Sequence, residues 1–319
     1  MSKIASTSTV RIRAIIQEAH NINLLELVPL KGSSLAPFTA GAYIDLHLGN
    51  GLVRSYSLAN SQSERHRYVI GVKRETASRG GSAHIHEQVR VGDKIEISAP
   101  KNRFALDESA SSSVLIAGGI GITPLYSMLQ RLDELKKDWT LHYSTQCRES
   151  AAFVQALREF GSKAHIYFSA DDDGWRSKLD VPSVVSATSS DTHIYCCGPK
   201  RMLEVFENAT SAKPADHIHV ERFSGGELDT SGSFEVELAK SGGVVIVPDG
   251  RTILEVLLES GVKLDYSCTD GVCGSCITRV IQGAPDHRDF VLTKEESQKG
   301  DRIAICCSRA KSARLVLDL

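Results

Sequence analysis

In the first hundred residues the apolar positions gather in short β-like runs, at residues 10–16, 42–48, 53–58, 68–72 and 94–98, with clusters of Gly, Asn and Ser between them. Short strands at this spacing predict an antiparallel β-barrel. From Ser113 the pattern changes. Runs at 114–117, 140–144, 164–169 and 192–196 read as strands, with helices from about Pro124 and from Ala151, and that alternation predicts a parallel α/β sheet. After Phe223 the segment SGGELDTSGS holds few apolar residues and reads as an interdomain linker. Beyond it, residues 234–238 and 244–247 predict a hairpin, 253–260 a helix, and a cysteine-rich loop follows. The expected fold class is multidomain: an antiparallel β-barrel over 1–108, an α/β parallel-sheet domain over 109–224, a linker over 225–233 and an α+β domain over 234–319.

Composition narrows the partners. A chain of 319 residues is long enough for two or three domains. With 41% hydrophobic and 24% charged residues it has globular composition, which excludes disordered, collagen-like and coiled-coil chains. Lys plus Arg number 37 against 39 Asp plus Glu, a formal charge of -2, so no electrostatic ground exists for a nucleic-acid partner. No stretch approaches the ~20 apolar residues of a membrane span, and MSKIASTSTVRIRA lacks the apolar core of a signal peptide, so a cytoplasmic protein is expected. In that reducing compartment, the eight cysteines read as metal ligands or free thiols rather than as a disulfide framework.

Their spacing decides which. Cys268, Cys273 and Cys276 form C-x4-C-x2-C in CTDGVCGSC, and Cys306 follows after 29 further residues. This is the ligand spacing of plant-type [2Fe-2S] proteins. Two irons bridged by two sulfides need four thiolates on one small object, so three come from a tight loop and the fourth from a distant segment. Gly271, Gly274 and Ser275 let that loop fold over the cluster and aim N–H groups at its sulfurs. The alternative is zinc, but zinc sites usually pair their cysteines as two CxxC-like units, whereas one loop here holds three. Cys307 competes with Cys306 for the fourth position. If residues 303–306 form a strand, neighbouring side chains point to opposite faces and only one of the two can face the metal.

Two glycine-rich turns stand at predicted strand ends. AGGIGITP, residues 117–124, joins a strand to a helix, where backbone N–H groups and the helix dipole can hold a pyrophosphate. YCCGPKRML, residues 195–203, repeats the arrangement with Gly198 and Pro199 at the same carboxyl edge of the sheet, the edge along which open α/β folds bind ligands. In the N-terminal domain, RSYSLAN offers a cation, an aromatic face and hydroxyls, and RGGS at 79–82 offers a nest of N–H groups for a phosphate.

Taken in this order, the RxYS, GGS, GGIGITP, CGP and C-x4-C-x2-C…C motifs resemble the phthalate dioxygenase reductase family of the ferredoxin reductase superfamily. Vanillate demethylase and phenoxybenzoate dioxygenase reductases are similar. The resemblance implies an FMN-binding barrel, an NAD-binding domain and a C-terminal ferredoxin domain of the β-grasp type, with FMN, a [2Fe-2S] cluster and NADH as cofactors and NADPH as the alternative donor. By motif, Arg54, Ser55, Tyr56 and Ser57 line the flavin, Val72 and Lys73 lie beside its ring, and Gly80, Gly81 and Ser82 hold its phosphate. Gly118, Gly119 and Gly121 with Cys197, Gly198 and Pro199 make the nicotinamide site, and Thr123, Cys197 and Phe223 stand at the reacting rings. Cys268, Cys273, Cys276 and Cys306 are the implied metal ligands, the ICCSRA context favouring Cys306 over Cys307.

The implied partner is a Rieske-type oxygenase, with the reductase a monomer. Nicotinamide gives up two electrons together, the cluster takes one at a time, and a flavin mediates between them. No general base is needed, so the histidines, His84 and His86 included, read as structural. Arg148 in STQCRES lies about where an adenine ribose should sit, the position that bears on NADH against NADPH. Two rival readings are a reductase of the same superfamily serving another acceptor, such as a monooxygenase or a reductive dehalogenase, and a non-catalytic redox sensor.

Overall fold

The computed structural model describes residues 7–32, 34–49, 51–76, 80–169, 178–223 and 230–319. Arg79 of the RGGS motif and most of the expected linker lie outside them. The chain divides into two compact units, Met1–Arg222 and Phe223–Leu319.

The first unit begins with β1 (Thr7–Ala19), β2 (Ile22–Pro29), β3 (Tyr43–His47), β4 (Val53–Ser57), β5 (Tyr68–Lys73), α1 (Gly81–Gln88) and β6 (Lys94–Ser98). The six strands form one antiparallel sheet in the order β4-β3-β6-β1-β2-β5. A bridge from Leu58 to Ile70 brings its two ends together, which makes it a barrel. Val10, Ile12, Leu25, Leu27, Ile44, Leu46 and Ile70 fill the interior. The expected strands are all present. The alternation predicts no strand between residues 16 and 42, yet β2 lies there. INLLELVP carries apolar side chains on both faces, so it has no period-2 signal, and Glu26 interrupts it. That carboxylate is buried and accepts bonds from Arg13 Nε, at 2.6 Å, and from Arg67.

A parallel sheet follows, built from β7 (Ser112–Gly118), α2 (Ile122–Glu134), β8 (Asp138–Thr145), α3 (Val154–Arg158), β9 (Ala164–Phe168), α4 (Val181–Ser186), β10 (His193–Cys197), α5 (Lys200–Thr210) and β11 (Ile218–Glu221), in strand order β11-β10-β7-β8-β9. Leu115, Leu141, Tyr143 and Tyr195 meet α2 through Leu125, Met128 and Leu129 in one core. A second core joins Ile116, Ile194 and Cys196 to Leu203 and Phe206 of α5. Burial on both faces is what a parallel sheet requires. The helix expected from Ala151 starts at Val154, because Phe153 adopts a left-handed backbone, φ 61, while its N–H donates to Glu18 of β1.

In the second unit β12 (Phe234–Leu238), β13 (Val244–Val247), α6 (Ile253–Glu259), β14 (Ile277–Gln282), β15 (Pro285–Asp286), α7 (Lys294–Lys299), β16 (Arg302–Ala304), β17 (Arg309–Ala310) and β18 (Arg314–Leu317) form a mixed sheet, β13-β12-β18-β14-β16, and a two-stranded ribbon. The expected hairpin is the pair β12 and β13. Ile253, Leu254 and Leu257 of α6 seal the sheet against Val236, Val280 and Leu315. A strand reaching Cys306 is not formed: β16 stops at Ala304, and Cys306 and Cys307 sit in the turn beyond it. No described helix is long and apolar enough to cross a membrane.

Glu26 supports a stability prediction. Burial raises its pKa, but the bonds from Arg13 and Arg67 outweigh burial and hold it below the usual carboxylate range. A depressed carboxylate stabilises the fold above the unfolded-state pKa and loses that contribution as pH falls through the folded one. Glu26→Gln is expected to cost about 1–3 kcal/mol at pH 7, read from urea midpoints, with the deficit shrinking near pH 3. An equal deficit at both pH values would contradict the pairing.

Candidate functional site

Three motifs of the first unit meet where β4, β5 and α1 converge. Strand alternation puts Arg54 and Tyr56 on one face of β4 and Ser55 and Ser57 on the other. Ser55 is accordingly committed elsewhere: its hydroxyl donates to Asp45 at 2.7 Å, and Asp45 pairs with Lys101 at 2.6 Å. Ser57 is buried. Gly80 precedes α1 in a left-handed conformation, φ 87, which only glycine adopts cheaply, and so turns the first amides of the helix outward. Gly81 lies directly under the Arg54 side chain, since a Cβ there would stand 2.7 Å from Arg54 Cγ. A guanidinium therefore lies beside a helix N-terminus, an arrangement that fits a phosphate.

α1 is tied to β5 at its other end. His86 Nε2 lies 2.9 Å from the carbonyl oxygen of Val72, a structural bond of the kind expected for this residue. Ser82 Oγ accepts from the Glu75 N–H at 3.2 Å. Val72 is fully buried, whereas Lys73 is exposed and pairs with Glu75 at 3.0 Å. Burial pushes the Tyr56 hydroxyl up to about 12, against the pull of Arg54, so it stays a neutral aromatic.

The glycine turns lie next to this cradle. A Cβ on Gly71 of β5 would stand 2.7 Å from Thr123 Cγ2, so the GITP turn packs straight onto β5. Thr123 is buried, and its hydroxyl donates to the Ile120 carbonyl at 2.9 Å. β7 and β10 are parallel neighbours with Ala117 opposite Cys197, which sets the two turns side by side. A Cβ on Gly198 would stand 3.2 Å from the Gly118 backbone, one on Gly121 only 2.3 Å from the Cys197 carbonyl oxygen, and one on Gly118 2.6 Å from Pro199 Cδ. Gly119 has φ +53 with open space beside it. The carboxyl edge is thus bare backbone, the surface a dinucleotide can approach closely.

Sequence reasoning passed over Gly71 and Glu221. Glu221 lies opposite Cys197 on β11, and burial raises its carboxyl to about 7 against the pull of Arg103. The only sequence signal for it is its place in VERF, two residues before Phe223. Phe223 is 40% exposed and opens the second unit.

In that second unit all four predicted ligand cysteines are buried. Thr269, Gly271 and Gly274 take left-handed backbones with φ of 60, 71 and 66, winding the loop so that its amides turn inward. The Asp270 N–H donates to Cys268 Sγ at 3.3 Å and the Cys268 N–H to Cys273 Sγ at 3.4 Å. Ser275 Oγ lies 3.4 Å from Cys273 Sγ. Side-chain bonds from Cys273 and Cys306, with the amides of Asp270 and Val272, hold the Cys268 thiol far below its ordinary range. Cys306 also lies within interaction range of Cys276, so the distant turn reaches both ends of the loop. Cys307 Sγ points to the Ala304 carbonyl and Ser308 hydroxyl, each at 3.8 Å. Among the described residues no three His, Cys, Asp or Glu side chains close on one ion position. A [2Fe-2S] cluster makes no such demand, because each iron takes two protein thiolates and completes its shell with bridging sulfide. Four buried thiols with amides turned toward them fit that cluster.

A phosphate cradle against a bare nucleotide edge in one unit, and a four-thiol shell in the other, define an oxidoreductase joining a pyridine nucleotide, a flavin and an iron-sulfur cluster. Residues 236–311 match the 2Fe-2S iron-sulfur cluster binding domain family, and residues 115–208 the oxidoreductase NAD-binding domain family. The chain is 49% identical over 322 residues to the phenoxybenzoate dioxygenase subunit beta of Ectopseudomonas oleovorans, covering 100% of both. It is 45% identical over 326 residues to the tetrachlorobenzoquinone reductase of Sphingobium chlorophenolicum, again covering 100% of both. The solved structure of phthalate dioxygenase reductase superposes with a TM-score of 0.82 at 38% identity, covering 98% of each chain. The chain belongs to the phthalate dioxygenase reductase family.

Two predictions test this geometry. Gly121→Ala forces its methyl into the Cys197 carbonyl, so KM for NADH is expected to rise at least tenfold with the folded fraction unchanged by circular dichroism. An unaltered KM would detach this turn from nucleotide binding. A carboxyl raised to about 7 favours folding while protonated, so Glu221 makes stability fall between about pH 4.5 and 7. Glu221→Gln is expected to flatten that slope in chemical denaturation, and a slope equal to wild type would contradict its burial as an acid.

Proposed function

We propose that this chain is the reductase component of a Rieske-type aromatic-ring oxygenase or O-demethylase system, moving electrons from NADH through FMN and a [2Fe-2S] cluster to the oxygenase. The observation that carries the reading is that one chain holds both a four-thiol shell in its second unit and, in its first, a phosphate cradle packed onto a glycine-lined nucleotide edge. A bound flavin supplies the exchange between a two-electron donor and a one-electron acceptor. Residues of the chain bind and orient. Arg54 and the first amides of α1, from Gly80, Gly81 and Ser82, hold the phosphate of FMN, while Tyr56, Val72 and Lys73 flank the ring. Thr123, pressed onto β5 by Gly71, stands where the two ligands meet. Gly118, Gly119, Gly121, Gly198 and Pro199 admit the nicotinamide nucleotide to within backbone contact, and Cys197 closes the floor of that site. Cys268, Cys273, Cys276 and Cys306 hold the cluster, and the loop amides stabilise its negative charge.

Eight free thiols suit a reducing compartment, and the reading places the reductase in the cytoplasm as a monomer. NADH is the donor this reading favours. The domain boundaries that follow are 1–108 for FMN, 109–224 for NAD, 225–233 for the linker and 234–319 for the cluster. A second acceptor class is favoured by one observation, the full-length similarity to a tetrachlorobenzoquinone reductase. Turnover with a purified Rieske oxygenase against turnover with a halogenated quinone separates the two by kcat/KM.

Cys276→Ser is expected to leave NADH-driven flavin bleaching at the wild-type rate in stopped flow and to reduce cytochrome c reduction at least a hundredfold. Loss of flavin reduction as well would contradict the division of labour.

A further inference from the structure

A buried acidic side chain lies behind the cysteine loop, outside the set of ligands. The Asp289 side chain is fully buried. Its Oδ1 accepts the N–H groups of Val291, at 3.0 Å, and Leu292, at 2.8 Å. Its Oδ2 lies 3.5 Å from Ser308 Oγ and 3.8 Å from His287 Nδ1. Ser308 Oγ in turn accepts the Arg288 N–H at 3.1 Å. The Arg288 guanidinium is turned to Asp286, with contacts of 2.9 and 2.7 Å.

The strap formed by residues 286–292 is fastened to the ligand loop. The Phe290 N–H donates to the Gly271 carbonyl at 2.9 Å. Gly271, between Cys268 and Cys273, has no room for a side chain: a Cβ would stand 2.5 Å from Cys307 Sγ and 3.2 Å from Asp289 Cα. The Asp289 backbone therefore packs directly against the ligand loop, and its buried carboxylate lies in surroundings that screen charge poorly.

We propose that Asp289 sets the reduction potential of the [2Fe-2S] cluster, its fixed negative charge holding that potential below the value the four thiolates alone would give. The inference rests on the cluster assignment made under the proposed function. Reduction adds one electron, and a buried carboxylate nearby makes that addition harder. Potentials of such clusters respond to net charge and to hydrogen bonding in the surrounding shell. The Ser308 hydroxyl, donating to the carboxylate, offsets part of the effect.

The test uses the full chain, loaded anaerobically with iron and sulfide and titrated with dithionite while the reduced-cluster EPR signal is followed. Asp289→Asn keeps an oxygen for the Val291 and Leu292 N–H groups but removes the charge, so the midpoint is expected to move to more positive potential. Asp289→Glu keeps the charge and should return the midpoint toward wild type. Ser308→Ala removes the donor and should move it to more negative potential. Wild-type and Asp289→Asn samples with the same EPR signal and the same midpoint would overturn the proposal alone. If Asp289→Asn does not hold the cluster, Ser308→Ala decides: a midpoint at or above wild type overturns it. Wild-type protein lacking any [2Fe-2S] signal would remove the cluster assignment itself, and the inference with it.

Discussion

Holding a [2Fe-2S] cluster on four sulfurs, as proposed for Cys268, Cys273, Cys276 and Cys306, sets the demands on the second unit. Three come from nine residues of chain, so the loop must reverse its winding repeatedly, and Thr269, Gly271 and Gly274 meet that demand with left-handed backbones. The fourth arrives from the turn after β16, whose position depends on β14 and on the bond between Leu254 of α6 and the Ile305 carbonyl. Sheet, helix and turn are therefore all needed to place Cys306. The same crowding explains why the strap through Asp289 is where it is: with no side chain on Gly271, the strap backbone can press against the loop and cover it.

The first unit solves a different problem by the same means. A dinucleotide needs donors close to its phosphates, and backbone N–H groups are the donors that stand nearest when side chains are absent. At the carboxyl edge, Gly118, Gly121 and Gly198 let β7, β10 and their turns approach to distances that any Cβ would prevent. Gly71 extends that closeness to β5, so the nucleotide edge and the phosphate cradle are held by contact rather than by a tether. Side chains with charge, Arg54 above all, then complete a site whose shape is set by backbone.

What was legible in the sequence follows from this. Strands that alternate outer and buried positions announce themselves, as β6 and β8 do, and so do turns that demand glycine beside cysteine or at a strand end. β2 stayed hidden because both of its faces are apolar and a paired carboxylate interrupts it. α1 was read only as a phosphate loop, because GSAHIHEQ has few apolar positions from which a helical stripe could be seen. Alternation along β4 separated Ser55 from Arg54 although the motif lists them together, since a motif carries residue order and a strand imposes a face. Gly71, Glu221 and Asp289 owe their roles to neighbours distant in sequence, Thr123, Cys197 and Gly271, and no local pattern encodes such contacts.

Cys197 illustrates how burial narrows a role suggested by resemblance. The thiol is fully buried, and burial, aided by Glu221 and Cys196, pushes its pKa far up, so it remains protonated. A protonated, enclosed thiol is neither a nucleophile nor a base, and hydride transfer between cofactors requires neither. What the position does contribute is size and register. Its carbonyl oxygen occupies the space a side chain on Gly121 would need, so the end of β10 packs directly against the turn that leads to Thr123, while its small side chain is enclosed in the core. A larger residue there would lift β10 from the glycine turn and widen the edge that the nucleotide must bridge, so the constraint on Cys197 is steric and lies in the distance it permits.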